Sequence, residues 1–271
     1  MRLVYSTPMQ FSQRNILAGV VILIIVVAAA YLYLRPASGV PITPGNTLAT
    51  SSSATSSASA APISGTPTTI HLGAAQPSFT QPISFAAGIP ANVKAALNTQ
   101  FADVSSQLAK NPTQVDLWLG LGTLRKMGGD YQGAIEDWNY VGKDGNSLSS
   151  VAYGNLADLY LNFVKNYPQA EASYKAAIAL NPAYPDYYQG LFTLYTTTSY
   201  KPSPTAAEDI LKQGIAANPK AVDLQVTLAV YYKSLGRTAD AKAEFDAAIA
   251  NAKSQGQTDL AAQIQAEESS L

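Results

Sequence analysis

The stretch GDYQGAIEDW, residues 129–138, decides the fold, because its frame returns as GRTADAKAEF at residues 236–245. In both, alanine stands five places after the first glycine and a large aromatic four places further on. KNYPQAEASY (165–174) and PSPTAAEDIL (202–211) fall between them in the same register. The four starts, 129, 165, 202 and 236, are separated by steps of 36, 37 and 34 residues, and a period in that range marks a repeat architecture.

A second helical pattern precedes each segment: WLGLGTLRKMG from Trp118, YGNLADLYLNF from Tyr153, YQGLFTLYTTT from Tyr188 and QVTLAVYYKSLG from Gln225. Asn-Pro pairs close units at Asn111-Pro112, Asn181-Pro182 and Asn218-Pro219. Proline lacks a backbone donor and bars its predecessor from helical angles, so these pairs end helices. Two antiparallel helices that approach closely need small residues where they cross and large ones in the gaps. Gly122, Ala157 and Ala229 fit the crossing on the first helix of a pair, and Ala134, Ala170, Ala207 and Ala241 on the second. Trp138, Tyr174, Leu211 and Phe245 fit the gaps.

With these residues, about Val115 to Asn251 resembles the tetratricopeptide repeats, whose helix-turn-helix units carry W-x2-L-G, a following aromatic, A-x3-F and a closing proline. The first unit matches at Trp118, Leu121, Gly122, Gly129, Tyr131, Ala134 and Trp138. The others match at Leu156, Ala157, Tyr160, Ala170, Tyr174, Ala177 and Pro182; at Leu191, Tyr195, Ala207, Leu211 and Pro219; and at Leu228, Ala229, Tyr232, Gly236, Ala241, Phe245 and Ala248. The third unit departs, with Phe192 where a small residue is usual and a long turn, TTTSYKPSPT. The resemblance implies an all-α, right-handed solenoid with repeats at about 115–148, 149–184, 185–221 and 222–254. Val93, Leu97, Phe101, Val104 and Leu108 share one helical face, giving an N-terminal helix within 89–112. Residues 255–271, with Leu260 and Ile264 among polar neighbours, read as a capping helix.

The same resemblance implies a concave groove lined by first helices, where such proteins bind a partner protein or peptide. Carried across unit by unit, the groove positions are Leu119, Thr123 and Lys126; Asn155, Asp158 and Asn162; Gln189, Thr193 and Thr196; and Val226, Val230 and Lys233. The lysine and asparagine clamp that some relatives close on a C-terminal carboxylate is matched only at Asn155. Leu119, Thr123, Asp186 and Gly190 occupy its other places.

Ahead of the repeats the composition changes. Ile16 to Leu34, ILAGVVILIIVVAAAYLYL, is nineteen residues without a charge, close to the roughly 20 a helix needs to cross a bilayer. It exceeds the usual apolar region of a cleaved signal peptide, the competing reading, so the reading is a transmembrane anchor in the lipid bilayer. Arg2 and Arg14 precede it, and after Arg35 no basic residue follows until Lys94. Positive charge stays inside, so residues 1–15 are expected in the cytoplasm and the bulk of the chain on the outer face of the cell (inner) membrane. Residues 35–88, with SSSATSSASAAP, read as a flexible linker; Phe79, Ile83 and Phe85 near its end could pack on the first helix.

Function classes narrow by exclusion. Of the 17 Lys and Arg, three lie at or before Arg35, leaving 14 against 18 Asp and Glu from Lys94 onward. Such an acidic balance lacks the basic footprint of nucleic-acid binding. There is no cysteine, and the only histidine, His71, falls in the linker, so no Ser-His-Asp triad or HExxH zinc site fits. No enzyme and no cofactor are expected. The sequence reads as a membrane-anchored scaffold or adaptor, similar to bacterial anchored repeat proteins of secretion or envelope assembly. The alternative is a passive spacer or oligomerising element of a surface assembly.

Overall fold

A computed structural model describes residues 75–145 and 148–271. Ile16 to Leu34, the linker ahead of residue 75 and His71 lie outside them. Among the described residues no helix is long and apolar enough to cross a membrane.

The described residues are all-helical. In chain order the helices are α1 (Ala91–Lys110), α2 (Val115–Gly128), α3 (Tyr131–Gly142), α4 (Ser149–Leu159), α5 (Tyr167–Leu180), α6 (Pro185–Thr197), α7 (Ala206–Ala217), α8 (Val222–Ser234), α9 (Thr238–Ser254) and α10 (Thr258–Glu268). Each packs principally on its predecessor and successor, which is the stacking of helical hairpins that the repeat frame implied. The first helices α2, α4, α6 and α8 begin at the first residue of each unit read from the sequence.

Local chemistry sets the ends. Asp130 caps α3 by accepting from the Gly133 amide at 3.2 Å, and Asn166 caps α5 by accepting from the Gln169 amide at 3.3 Å. α1, α5 and α7 stop at Asn111, Asn181 and Asn218, each followed by its proline. α4 runs into a π turn at Tyr160–Val164 that closes on Lys165 in a left-handed conformation.

The residues assigned to the crossings are buried: Ala134, Ala157, Ala170, Ala207, Ala229 and Ala241, with Trp138, Tyr174, Leu211 and Phe245 beside them. Successive units are also hydrogen-bonded through the closing motif. The Pro182 carbonyl accepts from Tyr188 Oη at 3.0 Å and from Asn218 Nδ2, one unit later, at 3.0 Å. Asn251 Nδ2 donates to the Pro219 carbonyl at 2.8 Å, and Trp118 Nε1 to the Pro112 carbonyl at 2.8 Å. Proline thus ends a helix and leaves a carbonyl on which the next unit fastens.

The reading of residues 35–88 as one flexible linker needs correction at its end. Residues 78–86 lie against α1, α2 and the start of α3. Ile83 is buried, and Phe79 meets Trp118 edge-on with ring centroids 5.9 Å apart. Arg125 Nη2 donates to the Ser78 carbonyl at 2.6 Å, Ser105 Oγ to the Phe79 carbonyl at 2.7 Å, and the Ala86 amide to the Gly128 carbonyl at 2.9 Å. Two glycines make room. A Cβ on Gly128 would stand 2.5 Å from Ile83 Cγ2, and one on Gly129, whose φ is 81°, 2.4 Å from the Ala86 Cβ.

Beneath this segment lies a charge pair that the repeat frame does not contain. Arg125 Nε sits 3.2 Å from Asp137 Oδ2, and both side chains are buried. Neither Arg125 Nε nor either Asp137 oxygen has a directed hydrogen bond, so the contact is electrostatic. Burial pushes the Asp137 carboxyl up to about 8 against the opposing pull of Arg125.

Candidate functional site

The groove positions read from the sequence are all on first helices or their ends. Leu119, Thr123 and Lys126 are on α2; Asn155 and Asp158 on α4, with Asn162 in the π turn; Gln189, Thr193 and Thr196 on α6; and Val226, Val230 and Lys233 on α8. Thr123, Asn162, Thr196 and Val230 are exposed and the other eight are half-buried, so none belongs to the sealed core.

The structure joins one pair of them across units, Lys126 with Asp158, and ties others to residues outside the set. Lys126 Nζ bonds Asp158 Oδ2, while Asp158 Oδ1 accepts from Asn162 Nδ2 at 2.6 Å. The Lys126 ammonium also sits 4.8 Å over the Phe163 ring. Thr227 Oγ1 donates to Gln189 Oε1 at 2.9 Å, and Lys233 Nζ bonds Glu267 Oε1 at 2.8 Å and Ser270 Oγ at 2.6 Å. The hydroxyls of Thr123, Thr193 and Thr196 turn back onto carbonyls of their own helices. Both lysines of the set are therefore engaged, Lys126 between the first two units and Lys233 between the fourth unit and the capping segment.

Thr196, Val226 and Val230 meet elsewhere, on the wall of a pocket of about 600 Å3 between α6, α7 and α8. Its origin is the third unit's departure from the frame. Phe192 occupies the crossing position that is glycine or alanine in the other units, and its ring stands edge-on to Tyr231 with centroids 5.4 Å apart. The connection from α6 to α7 is correspondingly long, residues 198–205, and Lys201, Ser203 and Pro204 from it line the opening. Val230 and Leu235 add exposed apolar surface, and Lys201 is the only charged residue on the pocket wall. A second pocket of about 510 Å3, lined by Ile178, Ile210, Pro202 and Glu171 among others, lies against the same connection.

Sequence reasoning missed a pair of carboxylates that couple neighbouring units around these pockets. Glu171 accepts from Tyr195 Oη at 2.6 Å, Tyr200 Oη at 2.5 Å and Lys175 Nζ at 2.7 Å. Burial alone would raise its carboxyl, but hydrogen bonds from Lys175, Tyr195 and Tyr200 outweigh it and hold the group below the usual range. Glu208 accepts from Lys212 Nζ at 2.6 Å, Arg237 Nη1 at 2.7 Å and Tyr232 Oη at 3.0 Å. These bonds, that of Lys212 first, bring it down to about 2. The available signal was Ala-Glu at 170–171 and again at 207–208, each followed by a tyrosine 24 residues after the glutamate. Among the described residues no group of three or more His, Cys, Asp or Glu is placed to hold a metal ion.

No family model matches the chain, and no curated protein matches it. Among solved structures it is similar to one described as "Crystal structure of MamA", with a TM-score of 0.47 and 20% identity over 65% of this chain and 99% of that one. Another, "Crystal structure of MamA protein", gives 0.40 and 20% over 57% of this chain and 89% of that one.

Proposed function

We propose that the helical domain is a protein-binding scaffold, and that its partner lies along α4, α6 and α8 and sends an apolar side chain into the pocket beside Phe192. The pocket carries this reading. The lysines of the predicted groove are engaged between units, whereas Phe192 holds open an apolar cavity bordered by exposed Val230 and Leu235. An apolar recess with a polar rim suits capture of a side-chain anchor. The role is binding, with no catalytic step.

Photocrosslinking in cells from position 196 tests it. The wild-type chain is expected to capture a discrete partner, and Val230→Asp to lose that partner. The melting temperature should barely move, because exposed helix positions change stability by about 0.5 kcal/mol or less. Unchanged crosslinks in the Val230→Asp chain would leave a passive spacer as the better account.

The sequence supports a location on the membrane, with Ile16 to Leu34 as a single-pass anchor and the domain on the outer face, where secretion or envelope-assembly complexes are built. Protease added to cells stripped of any outer barrier should then digest the helical domain and spare a fragment of about the first 40 residues. A fully protected domain would reverse the orientation.

A further inference from the structure

Residues 75–88, AQPSFTQPISFAAG, carry no charge, yet their inner face sits on the only fully buried arginine among the described residues. We propose that the cradle formed by α1, α2 and the start of α3 is a binding site for an extended, uncharged peptide segment, which residues 75–88 fill as an exchangeable internal ligand. This site is separate from the pocket beside Phe192 and does not depend on it.

The way the segment is held is the way a linear ligand is held. It has no helix or strand of its own. Most of its polar contacts go to its backbone: Arg125 Nη2 to the carbonyls of Ser78 at 2.6 Å and Gln81 at 3.4 Å, and Ser105 Oγ to that of Phe79. The Ser84 amide reaches Asp130 Oδ2 at 3.3 Å, and the Ala86 amide reaches the Gly128 carbonyl. Backbone contacts of this kind give affinity without reading sequence, and side-chain pockets supply selectivity. Here the pocket is the slot over Gly128, which receives Ile83, with Phe79 against Trp118 at one side and Phe85 under Lys94 at the other.

The host side explains why the ligand is uncharged. Arg125 has Asp130 at 4.0 Å, so its charge is already opposed within the domain without counting the raised Asp137 carboxyl. What it has left to offer is a fork of N–H donors for carbonyl oxygens. A carboxylate entering the cradle would meet Asp130 as well as Arg125.

Exchange is allowed by the junction. Gly88 has a φ of 84° and open space around the position of a Cβ, and α1 begins only at Ala91. The segment can swing out about this point without unwinding a helix, which is the kind of local opening that leaves the rest of a domain intact.

The test is a labelled peptide of residues 75–88 titrated onto the full chain in detergent and followed by fluorescence anisotropy. In the wild type the tethered segment competes at an effective concentration on the order of millimolar, so the peptide should bind weakly. In Ile83→Glu the tethered segment is expelled, and the peptide should bind at least ~10-fold more tightly for the same reason. Adding Gly128→Val, which fills the slot for Ile83, should abolish that binding. Equal affinity for the wild type and Ile83→Glu would overturn the proposal, as would no binding by an Ile83→Glu chain that keeps its helical circular dichroism. Hydrogen exchange on the wild type decides independently of any variant. The Ala86 amide is expected to exchange at least ~10-fold faster than the amide of Leu121 in α2, through local opening. If Ala86 exchanges only when the whole domain unfolds, the cradle never empties and the proposal fails.

Discussion

Replacing Arg125 by methionine is expected to cost the domain about 1–2 kcal/mol at pH 9, because Asp137, buried and without its counterion, must then hold a proton that the wild-type pair has released at that pH. For a domain of this size that corresponds to a fall in Tm of about 2–8 °C. The loss should be smaller at pH 6, and the sign follows from Asp137. Burial raises its folded value to about 8, above the value of an unfolded carboxyl near 4. A group raised in this way favours the protonated folded state. Its contribution to stability is full below about pH 4 and is lost as the pH rises through about 8. Without Arg125 the carboxyl is raised further, so at pH 6 it stays neutral and the unpaired-charge penalty is avoided. Arg125→Met with Asp137→Leu should recover most of the deficit at pH 9, since an apolar pair of similar volume often matches or exceeds a buried ion pair. Calorimetry at the two pH values checks this. An Arg125→Met chain with unchanged Tm at pH 9 would mean that the pair contributes nothing.

Two glycines two residues apart in α2 are expected to respond with opposite signs. A Cβ on Gly122 would lie 2.5 Å from Trp138 Nε1 and 2.7 Å from Trp138 Cδ1. That ring cannot yield, because it is fully buried and its Nε1 donates to the Leu119 carbonyl at 3.1 Å. Gly122→Leu should therefore cost about 1–3 kcal/mol or more through overpacking. A Cβ on Gly120 would meet nothing within 4 Å, so Gly120→Ala should gain about 0.5–1 kcal/mol by removing the entropic cost of a helical glycine. Chemical denaturation of the two variants provides the measurement. Stabilisation by both would show that helix propensity and not the crossing governs the Gly122 position.

The contrast also shows what was legible in the sequence. Gly122, Ala134 and Trp138 were readable as a packing set because the crossing they form recurs from unit to unit, the third unit's Phe192 apart, and a physical constraint imposed at a fixed interval leaves a periodic trace. The positions carried across as a groove were chosen for the same reason, as places that recur on the first helices. What they do was not readable. Lys126 with Asp158 and Lys233 with Glu267 are separated by about one repeat, so that in the sequence they look like solvated charges. Phe79, Ile83 and Phe85 marked a segment able to pack, but the host side of the cradle was illegible for the opposite reason, since it occurs once. Arg125, Asp137, Gly128 and Ile83 belong to no period, and only the folded chain brings residue 83 to residue 128. A trace was nonetheless present: Arg125 falls among apolar positions of α2, between Leu121, Leu124 and Gly128, where a repeat helix has no use for a charge. The pocket beside Phe192 stood between these cases. One bulky residue at a crossing and one long turn marked the third unit as different, but the cavity that resulted depends on how α6, α7 and α8 settle around the ring.

The docked segment gives the domain a mechanical property. Tension applied to the chain ahead of residue 75 does not reach α1 directly. It runs first into the carbonyls held by Arg125 and the side chain seated over Gly128, and from there into α2 and α3. Those few contacts are placed to act as a fuse: under load they are expected to part before any helix is drawn out, letting slack into the line while the units behind them keep their shape. When the load is removed the same short stretch can reseat, so the domain bears brief pulls at its N-terminal end with a part that is broken and restored without refolding.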